Sequence, residues 1–153
     1  MQVDKLLSHI EKSEEKLIDR LIEFLRIPSI STEKTYASAC RDAANWLTKE
    51  LSTVGFKSKT HQTSGNPIVL ATAGNGSPHL LFYGHYDVQP IDPLDSWDRP
   101  PFEPIVKNCP DGKIISARGA SDDKGQLLTF INACEAFFKL VGSFPCKITI
   151  LIE

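Results

Sequence analysis

The stretch His79–Asp87 reads HLLFYGHYD and is the centre of the interpretation that follows. Its apolar run, Leu80–Tyr83, predicts a strand covered on both faces, as in the sheets of α/β proteins. His85 and Asp87 would then lie just past the carboxyl end of that strand, where open α/β sheets have their ligand crevice. A His-x-Asp pair by itself is more often an incidental part of a polar surface. Its position after a core strand is what makes this pair a candidate site.

Helical and strand patterns alternate on both sides of this stretch. Apolar residues recur at helical spacing in residues 3–25, 39–54 and 127–141. The first of these helices is expected to end at Ile27-Pro28 and the second at Gly55. Further strands are predicted at 56–61, 67–73, 105–107, 113–117 and 147–153, with a hairpin turn around Pro110-Asp111-Gly112. Strands that alternate with helices predict an α/β sheet.

Composition and charge exclude several classes of protein. The length of 153 residues is ordinary for one domain, and 17 basic against 19 acidic residues leave a net charge of −2. No basic block or stripe is present, so neither nucleic acid nor an anionic membrane is an expected partner. Charges interrupt the N-terminus too early for a signal peptide, and no apolar run approaches the roughly 20 residues that span a bilayer. The cysteines include no close pair, which argues against a CxxC zinc site and for a cytoplasmic protein with reduced thiols: Cys40, Cys109, Cys134 and Cys146.

A second group of polar residues, Arg118–Gly125 (RGASDDKG), opens the third predicted helix. Either Asp122 or Asp123 could simply cap this helix, since acidic residues favour a helix N-terminus. A cap accounts for one aspartate and leaves unexplained the pair followed by Lys-Gly. A carboxylate at the crevice could also bridge two zinc ions, as two-metal hydrolases require. Both interpretations stay open at this point.

Together the two motifs resemble the co-catalytic zinc peptidases, a family that includes acetylornithine deacetylase, succinyl-diaminopimelate desuccinylase, aminoacylase and carnosinase-like dipeptidases. The resemblance covers most of the chain from Gly84 onward and includes the intervening segment Asp95–Pro104 (DSWDRPPFEP). Trp97 and the Pro-Pro-Phe after it are most similar to the dipeptidase branch. The resemblance implies an α/β fold with a central, largely parallel mixed sheet flanked by helices.

The resemblance also implies roles for single residues. It makes His85 a ligand of one zinc ion, Asp122 the carboxylate that bridges both metals, and Asp87 the catalytic aspartate that orients His85. Asp123 and the Lys-Gly after it would support the same loop, and the Asp122–Asp123 peptide bond is expected to be cis. The expected cofactor is two zinc ions per site, with cobalt or manganese as alternatives.

In the family, the general base and the remaining metal ligands come after the strand that ends at Glu153. Glu153 itself falls before the family's Glu-Glu pair, so we do not assign it as the base. We therefore expect residues 1–153 to be the N-terminal part of the catalytic domain, without its C-terminal part and without the dimerisation or lid domain. The intact protein is expected to be a homodimer, and this portion alone is expected to be catalytically inert.

The expected reaction is hydrolysis of an amide bond by a metal-activated water. The substrate would be a dipeptide or an N-acyl amino acid, and the sequence does not separate the two. One alternative is a peptidase-like domain that has lost its chemistry and only binds, although such a domain would be expected to lose the His-x-Asp pair or Asp122. Another is a complete small protein with one metal, but zinc sites need at least three protein ligands and only His85 and Asp122 are convincing.

Overall fold

The computed structural model describes residues 3–110 and 112–153, so Asp111 of the expected hairpin turn lies outside the described residues. The long N-terminal helix predicted from periodicity is two helices, with Ser13 between them. None of the described helices is long and apolar enough to cross a membrane. The helices are α1 (Val3–Lys12), α2 (Glu14–Leu25), α3 (Ala37–Thr53) and α4 (Lys124–Val141). The strands are β1 (Lys57–His61), β2 (Ile68–Ala73), β3 (His79–Gly84), β4 (Ile105–Cys109), β5 (Gly112–Ser116) and β6 (Lys147–Ile152).

Four of these strands form a mixed sheet in the order β1-β2-β6-β3, and β4 and β5 form a separate hairpin. The α/β fold with a mixed sheet is therefore confirmed. Strand β2 is antiparallel to both β1 and β6, whereas β3 and β6 run parallel, with Leu80 opposite Ile148 and Gly84 opposite Ile152. In the described residues the parallel share is thus smaller than expected. The reason is connectivity: a short loop joins β1 to β2, while the chain between β3 and β6 is long enough for a crossover through α4.

The core lies between one face of this sheet and helices α2, α3 and α4. Strands β2, β3 and β6 turn alternate side chains to that face, as the period of two in a strand requires. The buried side chains that meet there include Phe24, Leu47, Leu51, Val69, Ala71, Leu127, Leu128, Ile131, Ile150 and Ile152. This packing holds the N-terminus of α4 beside the carboxyl end of β3, which is where both sequence motifs lie.

The prediction that β3 is covered on both faces is wrong for the described residues. On the core face, Phe82 stacks on Phe130 of α4 with ring centroids 3.9 Å apart. On the other face, Leu81 is 69% exposed and Tyr83 is 55% exposed. An apolar run does not show which faces of a strand other elements cover: α4 packs on the face of Phe82, and the face of Leu81 and Tyr83 is open among the described residues.

Candidate active site

The fold brings the two sequence motifs together at one end of the sheet. His85 and Asp87 follow β3 directly, and Asp122 lies two residues before the start of α4. Asp122 Oδ1 is 3.1 Å from Nε2 of His85, although the two residues are 37 positions apart in sequence. All three residues predicted to form the site therefore lie in one cluster.

The imidazole of His85 is held between two carboxylates. Its Nδ1–H group donates to Oδ1 of Asp87 at 2.9 Å and lies 3.2 Å from the carbonyl oxygen of the same residue. With the proton on Nδ1, the lone pair of Nε2 is turned toward Asp122 Oδ1. The side chains of His85 and Asp87 are about one third exposed, and that of Asp122 is 76% exposed. The cluster is thus open to solvent on the side of Asp122.

The surroundings of His85 act on its pKa in opposite directions. Partial burial lowers the pKa of the imidazole, because it disfavours the charged form. The hydrogen bonds to the backbone carbonyl and the carboxylate of Asp87 favour the charged form and outweigh burial, so the pKa is raised above its usual value. Two acceptors, Nε2 and the Asp122 carboxylate, face each other at this position. A cation between them, whether a proton or a metal ion, would be stabilised by both.

Asp123 does not cap α4 with its side chain. It occupies the N-cap position, but no side-chain hydrogen bond of the capping kind is formed there. Its Oδ2 instead accepts the backbone N–H of His85 at 3.1 Å. The carboxylate can come this close because residue 84 is glycine: a Cβ atom on Gly84 would lie 2.9 Å from the same oxygen. The Asp122–Asp123 peptide bond is cis, as predicted.

Lys124 connects this loop to the end of α2. Its side chain is fully buried, and its ammonium group donates to the carbonyl oxygens of Phe24 at 3.1 Å and Ile27 at 2.7 Å. The same group lies 4.6 Å from the centre of the Phe24 ring. Burial lowers the pKa of Lys124 to about 7, and the charges of Cys40 and Asp87 act weakly in the opposite direction. From the sequence, Lys124 could be assigned only a supporting role in the loop, because its hydrogen-bond partners Phe24 and Ile27 are about 100 positions away.

Ser29 and Ser31 are two site residues that the sequence analysis did not identify. The Ser31 hydroxyl donates to Oδ2 of Asp87, and the buried Ser29 hydroxyl donates to the carbonyl oxygen of Tyr86 at 2.7 Å. The backbone N–H of Val88 donates to the carbonyl of Ser29 at 2.9 Å. The one available signal was the alternation of Ser29, Ile30 and Ser31 after a helix-ending proline, which is a short strand-like pattern.

The loop that carries Trp97, which resembles the dipeptidase branch, contacts the second motif through Arg118. The Trp97 indole N–H donates to the carbonyl oxygen of Ile91 at 3.1 Å, which closes the loop on itself. The guanidinium of Arg118 lies 4.8 Å from the centre of the Trp97 ring and donates to the carbonyl of Pro90 at 3.0 Å. The residue that opens the second motif therefore also positions the loop that follows the first.

A cleft of about 530 Å³ opens beside His85 and Asp87. At its rim the Tyr83 hydroxyl donates to Oε1 of Glu153 at 2.6 Å. This hydrogen bond, more than burial, raises the pKa of Tyr83. The lining residues are Ser31, Thr63, Asn66, Pro67, Ile68, Tyr83, His85, Asp87 and Glu153. The volume suits a ligand the size of a small peptide or amino acid derivative.

The donor atoms at the cluster fit part of a metal site. One imidazole nitrogen and one carboxylate oxygen lie 3.1 Å apart, and zinc accepts both kinds of ligand. Within residues 3–110 and 112–153, no group of three or more His, Cys, Asp or Glu side chains is placed to hold a metal ion. His85 and Asp122 could supply two ligands of a metal site, which would need at least one more protein ligand.

Comparison with known proteins confirms the resemblance predicted from the motifs. Residues 81–153 match peptidase family M20/M25/M40. The chain is 34% identical over 165 residues to the Cys-Gly metallodipeptidase dug1 of Schizosaccharomyces pombe, in an alignment that covers 100% of this chain. It is 41% identical over 91 residues to the succinyl-diaminopimelate desuccinylase of Marinobacter nauticus, which covers 60% of this chain.

The fold is shared with solved structures of the same kind. The structure of the dipeptidase Dug1p from Saccharomyces cerevisiae matches 99% of this chain with a TM-score of 0.87 and 29% sequence identity. The chain spans 34% of the length of that structure and 34% of the length of the Schizosaccharomyces pombe dipeptidase. Its similarity thus extends to about one third of these metallodipeptidases.

Proposed function

We propose, from the match of residues 81–153 to peptidase family M20/M25/M40, that the protein hydrolyses amide bonds of small peptides with the help of bound zinc. The observation that carries this proposal is the line of contacts from Asp87 through His85 to Asp122. The named relatives include metallodipeptidases, so the family is one of divalent-metal hydrolases. Zinc as the metal and two ions per site are our proposal for this protein.

His85 and Asp122 are the residues that would hold the metal. When bound, zinc supplies a Lewis acid for a substrate carbonyl and lowers the pKa of a water molecule toward about 7. Asp87 retains the proton at Nδ1 of His85, and this keeps the Nε2 lone pair available as a ligand. Asp123 holds the backbone of His85 in place. No general base is assigned among the described residues, because Glu153 is bound to Tyr83 and precedes the position where the family has its base.

A dipeptide is the substrate class we favour over an N-acyl amino acid. The dipeptidases align with 94–100% of the chain, whereas the desuccinylases align with 60–89% of it. The contacts between Trp97 and Arg118 give the dipeptidase-like loop a fixed place beside the second motif. An N-acyl amino acid is the alternative, since the same chemistry cleaves both kinds of amide bond.

We also propose that the missing metal ligands and the general base come from a polypeptide longer than residues 1–153. The support is that the relatives are about three times as long as this chain. In that longer form we propose a cytoplasmic homodimer. The free thiols of Cys40, Cys109, Cys134 and Cys146 fit a reducing compartment.

The experiment compares the 153-residue chain with a longer product of the same gene. Each is purified, stripped with a chelator and reloaded with zinc, cobalt or manganese, and then assayed on a panel of dipeptides and N-acyl amino acids. We expect metal-dependent turnover in the longer form alone, with the His85→Gln variant of that form inactive. Binding of dipeptides without turnover under all three metals would instead show a peptidase-like domain that only binds. Turnover by the 153-residue chain would show that the ligand set assigned to it is wrong.

A further inference from the structure

The loop between α2 and α3 contributes Ser31 to the cleft, and we propose that Ser31 is a positioning residue for Asp87 and, through Asp87, for His85. The inference rests on the proposed function, because it adds a residue to the same site. The Ser31 hydroxyl donates to Oδ2 of Asp87, and the other carboxylate oxygen, Oδ1, accepts the Nδ1–H group of His85 at 2.9 Å. Ser31, Asp87 and His85 thus form one hydrogen-bonded series.

The Ser31 hydroxyl restricts how the Asp87 carboxylate can turn. About one third of the Asp87 side chain is exposed, so water would otherwise compete for both oxygens. With Oδ2 bound to Ser31, Oδ1 is the oxygen presented to His85. This matters for chemistry because the group bound to one ring nitrogen of a histidine decides which nitrogen carries the proton. Ser31 therefore helps to keep the proton on Nδ1 and the Nε2 lone pair directed at Asp122.

Ser31 can act in this way because its own backbone is held in place. Ile30 is fully buried and forms a parallel bridge with Val88. Ser29 binds the backbone on both sides of Asp87, through its hydroxyl to the Tyr86 carbonyl and through its carbonyl to the Val88 N–H group. Residues 29–30 and 86–88 are thus paired through backbone groups, and this pairing places the Ser31 hydroxyl within reach of Asp87.

The two serines have separable tasks. Ser29 is fully buried and its hydroxyl contacts only backbone, so it fixes the path of the loop. Ser31 lines the cleft and its hydroxyl contacts a functional side chain. If Ser31 served only for packing, any side chain of similar shape could replace it without effect. As a positioning residue, it needs the hydroxyl group itself.

The test uses two variants of nearly equal shape, Ser31→Val and Ser31→Thr, in the 153-residue chain. Nitrogen-15 NMR of the imidazole rings at alkaline pH reports which nitrogen of each neutral histidine carries the proton, and the signal lost in His85→Gln identifies His85. We expect the parent and Ser31→Thr to carry the proton on Nδ1. We expect Ser31→Val to show a mixture of the two tautomers. Ser31→Ala replaces Ser31→Val if circular dichroism shows that the valine variant has lost its fold.

Two outcomes would overturn the inference: an unchanged tautomer in the variant without the hydroxyl, or an equal change in Ser31→Thr. This readout needs no metal and no turnover. If the hydroxyl-dependent difference appears while the longer form cleaves no amide bond, the proposed function fails and the positioning of His85 by Ser31 stands. In an active longer form, we expect Ser31→Val to lower kcat by about 10–100-fold, the range for residues that support a metal ligand.

Discussion

The ammonium group of Lys124, at the first position of α4, donates a hydrogen bond of 2.7 Å to the carbonyl oxygen of Ile27, just beyond the end of α2. The last carbonyls of a helix lack partners within the helix and carry partial negative charge, so a buried cation is well placed there. The contact joins the loop that carries Asp122 to the loop that carries Ser31. Lys124 therefore connects the two loops of the candidate site, although it does not itself line the cleft.

Replacing Lys124 should loosen this junction. Lys124→Met keeps most of the side-chain volume but removes the charged donor from the carbonyls of Phe24 and Ile27, which then keep only the backbone N–H groups of Ile27 and Ser29. We expect the free energy of unfolding to fall by about 1.5–3 kcal/mol, the usual contribution of hydrogen bonds to a charged group. Urea denaturation followed by circular dichroism measures the change. Lys49→Met, at an exposed position of α3, is the matched control and should leave stability nearly unchanged. Equal stability of the two variants would contradict this role.

The acidic side chain of Glu135 should make stability depend on pH. Burial raises the pKa of this carboxyl, but its contacts with Lys139 and Arg20 outweigh burial and lower it. A carboxyl with a lowered pKa in the folded state stabilises the fold above its unfolded value of about 4.3, and this contribution is lost as pH falls through the folded value.

We therefore expect Glu135→Gln to be less stable than the parent at neutral pH by about 1.5–3 kcal/mol. The difference should shrink steadily below about pH 4.3. Thermal unfolding across the acid range measures it. Glu23→Gln, at an exposed position of α2, provides the comparison. If the difference in stability between Glu135→Gln and the parent stayed constant down to strongly acidic pH, the ion pairs of Glu135 would not be its cause.

Gly84→Ala should disturb the site through Asp123. The new Cβ atom would lie 2.9 Å from Asp123 Oδ2 and 3.3 Å from a methyl group of Leu127. We expect a loss of about 1–3 kcal/mol in stability, as is typical when a packed site receives extra volume. Amide hydrogen exchange at His85 should become faster as well, since its acceptor is displaced. Gly65→Ala, whose Cβ would make only an ordinary contact of 3.8 Å with the Thr63 hydroxyl oxygen, should change neither quantity. Retained protection of the His85 amide in Gly84→Ala would mean that the glycine is not required for this contact.

The roles proposed for His85, Asp87 and Asp122 predict different effects of their substitution on metal content. In the metal-loaded longer form, His85→Ala and Asp122→Ala should each lose metal together with activity. Asp87→Ala should keep at least one metal ion and lose activity by about 10–100-fold or more, because Asp87 orients a ligand and is not one itself. Elemental analysis of the purified variants, combined with turnover, separates the two cases. Normal turnover by Asp87→Ala would refute its role.

Local patterns were sufficient to predict most of the elements of this fold. Amphipathic spacing predicted α3 and α4, and the apolar runs predicted β2, β3 and β6, because helical and strand periods follow directly from backbone geometry. The break at Ser13 and the exposure of Leu81 were not predicted. Both depend on what lies against the segment, and a run of apolar residues carries no information about its neighbours.

The sequence by itself determined the residue types of the site and their place just after a strand and just before a helix. His85, Asp87 and Asp122 could be named from two short motifs, because the chemistry needs those side chains. Only the tertiary structure decided that Asp123 binds the His85 backbone, that Ser31 binds Asp87 and that Lys124 binds Ile27. Each of these contacts joins segments 38 or more positions apart, and such pairings are set by the packing of helices on the sheet, which no local pattern encodes.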